Sequence, residues 1–146
     1  MSIDRSHRSQ RVPDRGRGQA LVEFALVLPL FLLLIAGMVD MGMGLNSSIT
    51  VTNATREGAR LGTVNPNAAA IEAKVRSLAT GLDQTALTVS SSCSRPVGSI
   101  PATCSFATWQ PGDSVVVTVN YLYRFIWPLA MGNTFPLSST AQMRLE

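Results

Sequence analysis

The chain has one histidine, His7, and two cysteines, Cys93 and Cys104, in 146 residues. Each scarcity excludes some chemistry. With its single histidine near the start, the folded part cannot assemble a Ser-His-Asp or Cys-His set. Two cysteines and one distant histidine fall short of the ligands of an ordinary zinc site. Acidic residues beyond the apolar run are few: Glu57, Glu72, Asp83, Asp113 and Glu146. They are far apart in sequence, and nothing suggests the paired carboxylates of acid–base hydrolysis. No phosphate-binding loop follows a strand. No catalytic, cofactor-binding or metal-ligating residue can therefore be named, and the expectation is a protein that is not an enzyme. The net charge of +3 also excludes less than it suggests. Arg5, Arg8, Arg11, Arg15 and Arg17 lie within residues 1–18 against Asp4 and Asp14, so the remainder is near neutral. Nucleic-acid binding needs a basic face on the folded part, so no nucleic-acid partner is expected.

The chain does contain one long apolar stretch, residues 18–45. Residues 24–39 carry no charged side chain. About 20 apolar residues are what a helix needs to cross roughly 30 Å of hydrocarbon. Within lipid, a helix is the one form in which a single segment satisfies its own backbone. Glu23 lies just inside the leading edge and Asp40 near the far edge. An acid in such a run is costly and implies a purpose. Residues 1–17 read as a disordered, Arg-rich leader. Arginines flanking an apolar helix stay cytoplasmic, so the amino terminus is expected inside and the carboxyl terminus outside. The competing reading is a secretory signal peptide cut at Gly42-Met43-Gly44. Against it stand the length of the run, Pro29 within it and Glu23 at its start.

The helix is expected to continue through residues 45–62. Val51, Ala54, Gly58 and Leu61 recur at steps of three and four and form a packing stripe. Gly and Ala on such a stripe admit close approach of another element. Arg56, Glu57 and Arg60 fall on other faces, and their residue chemistry alone reads as a solvated surface. Asn65-Pro66 ends the helix. A second helix is expected over residues 67–82, capped by Asn67, with Ile71, Val75, Leu78 and Leu82 as its apolar face. Leu87 and Val89 suggest a short strand. Residues 93–104, with two prolines, read as a surface loop. Residues 113–125 make the best strand. Residues 137–145 make a last one, with Leu137, Ser139, Ala141, Met143 and Leu145 on one face. The expected fold is α+β: a long amino-terminal transmembrane helix extending outward, then a small domain of one helix and about three antiparallel strands. Cys93 and Cys104 lie close together in the distal part, and the expectation is a disulfide outside the membrane, with two free thiols as the alternative.

One junction is more specific. A glycine, a cut, a glutamate five residues on and a long apolar helix resemble the type IV pilin and pseudopilin signal. G-Q-A-L-V-E-F-A-L-V-L-P-L-F-L-L-L, then V-D-M-G, then A-T-R-E-G-A-R, resemble the TadE-like pseudopilins of the tight-adherence (Flp pilus) system. The family's motif positions fall on Asp40, Arg56, Glu57, Gly58 and Arg60, and the final T-A-Q-M-R-L-E is similar to its carboxyl end. The resemblance implies cleavage by a prepilin peptidase between Gly18 and Gln19, with Glu23 as an assembly contact. It implies a leader at 1–18, a span at 19–45 and an extracytoplasmic domain at 46–146. The implied partners are the peptidase, other pilins or pseudopilins, an inner-membrane assembly platform and the lipid bilayer. The implied place is the bacterial inner membrane, and the implied role a minor pseudopilin. The alternative function is a single-pass membrane-anchored binding protein that belongs to no pilus.

Overall fold

A computed structural model describes residues 15–97, 100–127 and 133–145. The leader residues 1–14, His7 among them, lie outside the described residues. The order is helix α1 (Arg15–Val64), helix α2 (Ala68–Leu78), strands β1 (Leu87–Val97) and β2 (Ile100–Cys104), a short 3-10 turn (Phe106–Thr108), then β3 (Ser114–Arg124) and β4 (Thr134–Arg144). The fold is α+β. The chain forms two compact units, Met1–Gly37 and Met38–Glu146.

In the first unit, the described residues are those of α1, with Pro29 inside the helix and nearly every apolar side chain exposed. The helix begins at Arg15, so the leader does not stay irregular to residue 17 as its composition suggested. Gly18 is already within helical backbone.

The second unit is a four-stranded antiparallel sheet in the order β2-β1-β3-β4, with α1 and α2 packed on one face. β3 is central because its sequence alternates: Val115, Val117, Val119, Tyr121 and Tyr123 are all buried on the helix side. Two glycines let α1 approach. A Cβ on Gly58 would stand 2.5 Å from Val75 Cγ2, and one on Gly62 would stand 2.8 Å from Val115 Cγ1. A Cβ on Gly44 would stand 3.7 Å from Cε1 of the Tyr123 ring. The helix therefore runs along β3 in the opposite sense. The two lengths agree: residues 44–62 cover about 27 Å of helix, and residues 115–123 about 27 Å of strand. Hydroxyls on α1 bond back to the preceding turn, as in Thr55 Oγ1 to the Val51 carbonyl at 2.7 Å, so a buried threonine needs no outside partner.

α2 is capped by Asn67, whose Oδ1 accepts from the backbone N–H of Ala69 at 2.9 Å. It ends at Leu78, four residues before the expected residue 82. Ala79 leaves helical backbone as the cap, its N–H on the Val75 carbonyl; Gly81 then takes φ +84°, a left-handed turn, and the Leu82 N–H donates to the Ala79 carbonyl. Arg76 pairs with Glu72 at 2.9 Å and also donates to the carbonyls of Gln84 and Leu87, tying α2 to the start of β1.

The largest correction concerns residues 93–104. Residues 93–97 and 100–104 are strand and not a surface loop. β1 runs eleven residues and pairs with β2, with Cys93 opposite Cys104 and Pro96 opposite Pro101. The prolines misled because a proline cannot donate to a ladder. β1 pairs with β3 only as far as Ser94, so Pro96 has a neighbour on one side alone, and Pro101 lies on an edge strand. The sheet thus has four strands where about three were expected.

Candidate functional site

The long helix is the first candidate. Gly18, Gln19 and Glu23 follow one another on its exposed early turns, with Gln19 and Glu23 at i, i+4 on one face. Among the described residues this is the one helix long and apolar enough to cross a membrane. It has the form of a single-pass membrane anchor.

On the same helix, Val51, Ala54 and Gly58 are buried, while Leu61 is half-buried. The contact line is carried instead by Gly62, one residue on, together with Thr55 and Ala59. A helix seated between α2 and β3 buries a broader face than a four-residue stripe. Arg56 and Arg60 are exposed, and Arg60 Nε pairs with Glu57 Oε2 at 3.1 Å.

Asp40 anchors the second candidate. It is 4% exposed, although it lies at the end of the apolar run. Its Oδ1 accepts the backbone N–H of Ile126 at 3.0 Å, and its Oδ2 that of Trp127 at 3.0 Å. Its carbonyl accepts the Tyr123 hydroxyl at 3.2 Å. One carboxylate thus closes the end of β3 onto α1. Burial pushes the Tyr123 phenol above its ordinary pKa, and the Asp40 carboxylate adds to this. Sequence reading marked Asp40 but missed its partners, because the Trp-Pro pair after β3 signals only a break.

A third cluster lies at the opposite end of β3. Cys93 and Cys104 are bonded, with Cα atoms 5.0 Å apart, so the disulfide expectation holds. Beside them Arg95 grips Asp113 in a bidentate pair, Nε to Oδ1 at 2.8 Å and a terminal nitrogen to Oδ2 at 2.7 Å. The Gln110 N–H also donates to Asp113 at 3.0 Å. The Arg95 guanidinium is the main reason that Asp113 titrates below the usual carboxylate range. Asp113 lies within 4.8 Å of both sulfurs, but these are committed to each other, so the cluster is a structural clasp.

These features define a class first: an α+β protein with one apolar helix that has the form of a single-pass membrane anchor. A comparison of sequence adds a likeness over part of the chain. Residues 18–60 match the family model of TadE-like protein, in agreement with the resemblance read from residues 18–62. The match covers the apolar run and most of the packing stripe and none of the sheet. No curated protein and no solved structure matches the chain.

Proposed function

We propose that the chain is a minor pseudopilin-like structural and assembly component of a tight-adherence (Flp type IVb) pilus or a related secretion apparatus. A prepilin peptidase removes the leader between Gly18 and Gln19. The protein then stays in the bacterial inner membrane with its amino terminus in the cytoplasm and residues 46–146 outside. It meets other pilins or pseudopilins and the membrane assembly platform, and performs no catalysis of its own.

The observation that carries this reading is a coincidence of position. The TadE-like match begins at Gly18, where the Arg-rich leader meets an apolar helix with one early acid, Glu23. A lone carboxylate among apolar helices costs about 3 kcal/mol on insertion scales. Cutting after Gly18 frees the α-amino group of Gln19, and that cation on a neighbouring subunit offsets the cost. The uncut chain lacks it, so cleavage switches assembly on.

Mass spectrometry of the membrane-extracted protein tests the reading. A new terminus at Gln19, lost in Gly18→Leu, supports it. An intact Met1 returns the chain to a membrane-anchored binding protein, and a soluble chain starting beyond Gly42 to an exported one.

A further inference from the structure

Among the described residues of the sheet and its connections, four large apolar side chains are exposed: Leu122, Ile126, Trp127 and Phe135. All four lie at one end. Leu122 pairs with Pro136 and Tyr123 with Phe135, while Ile126 and Trp127 follow where β3 stops. At the other end, where Ser114 pairs with Arg144, none of the side chains whose burial is described is at once large, apolar and exposed. The outward face between is polar, as at Ser90, Thr118, Asn120 and Thr140. Among the described side chains of the sheet, the apolar exposure is therefore gathered in one place.

That place is tied to Asp40, the charged residue that ends the uncharged stretch 24–39 near the far edge of the apolar run. Residues 20–39 number about 20 and cover about 30 Å as a helix, which matches the hydrocarbon thickness of a bilayer. Asp40 consequently falls where hydrocarbon gives way to headgroups. The backbone N–H groups of Ile126 and Trp127 are fixed to its carboxylate at 3.0 Å each, so their side chains are held close to the same depth. Tryptophan, with an apolar body and one N–H, is enriched at that depth. Ile126 is 60% and Trp127 58% exposed, whereas the Asp40 charge is covered by the same turn.

We propose that Ile126 and Trp127 are a lipid-interface dock, inserted among the headgroups and upper acyl chains of the bilayer that α1 enters. The inference rests on the reading of α1 as a membrane span. The partner is the lipid surface itself. The dock holds the outer domain at the membrane surface.

The test uses the full chain, in which Trp109 and Trp127 are the only tryptophans. Trp109→Phe leaves Trp127 as sole reporter, and Trp127→Phe leaves Trp109. Each is reconstituted at low density in phosphatidylcholine vesicles, plain or brominated on the acyl chains near the headgroup, and flotation confirms membrane attachment. The expected result is several-fold stronger bromine quenching of Trp127 than of Trp109. Ile126→Asp in the Trp127 reporter should cut that quenching and shift the emission to the red. If the chain floats with the vesicles and Trp127 is quenched no more than Trp109, the dock is wrong while the anchor stands. If the chain does not float, the anchor fails and takes the dock with it.

Discussion

Asp40 and Trp127 are 87 residues apart in sequence and share a 3.0 Å hydrogen bond from the Trp127 backbone N–H to Oδ2. Ile126 donates to the other oxygen. Removing the acceptor leaves two donors short of a partner near the helix. Asp40→Ala should cost about 3 kcal/mol and lower the melting temperature of the detergent-solubilised chain by on the order of 10 °C. Asp40→Asn keeps one acceptor and should lose distinctly less. Equal melting of all three chains would remove the tie from the account of stability.

The glycines of α1 predict opposite signs for one kind of substitution. Gly58→Ala puts a methyl against Val75, a stiff β-branched neighbour, and should destabilise by about 1–3 kcal/mol. Gly42→Ala meets nothing within 4 Å. It should stabilise by up to about 1 kcal/mol, since alanine is the better helix former. Chemical denaturation of both variants checks this, and a shared sign counts against the packing described.

The disulfide closes a loop with a sequence separation of 11, and the chain-entropy account gives about 3 kcal/mol for a loop of this order. The double variant Cys93→Ala, Cys104→Ala should lose stability on that scale. Thiol labelling of unfolded, unreduced protein should find no free cysteine, and two labelled thiols would refute the bond.

Acid should loosen the Arg95–Asp113 clasp. The Asp113 pKa is lowered chiefly by the hydrogen bonds from Arg95, so the unfolded chain binds its proton more readily than the folded one. The clasp's contribution is complete above the ordinary carboxylate value of about 3.9. It disappears as pH falls through the lower folded value. Asp113→Asn should flatten the pH dependence of the denaturation midpoint below about pH 5. Parallel curves for variant and parent would show that the acid sensitivity arises elsewhere.

Glu23→Gln separates processing from assembly. The variant should insert and be cut after Gly18 as the parent is, yet fail to co-purify with its pilus partners. Undiminished co-purification would deny Glu23 an assembly role.

Elements whose determinants are local were legible in sequence. The apolar run set α1, Asn65-Pro66 ended it within a residue, Asn67 announced the cap of α2, and the alternating valines marked β3. Features that depend on a distant neighbour were not legible. Pro96 and Pro101 spoke for a loop, since nothing near them shows that β3 pairs with β1 only as far as Ser94. Arg95 and Asp113, 18 residues apart, carried no mutual signal. Asp40 was visible as an anomaly, but its purpose required knowing where residues 126 and 127 return in space.

The matched 27 Å runs of α1 and β3 act as a ruler, with consequences for which length changes the chain can accept. One residue inserted into α1 between Gly44 and Gly58 would turn the far portion by about 100° and advance it by about 1.5 Å. Gly44 against Tyr123 and Gly58 against Val75 could then not both persist. One residue inserted into β3 would send its valines to the wrong face. By contrast, residues 79–86 join α2 to β1 outside any helix or strand, and additions there disturb neither scale. Natural variation in length should therefore avoid residues 40–62 and 115–123 and collect in the connections between elements.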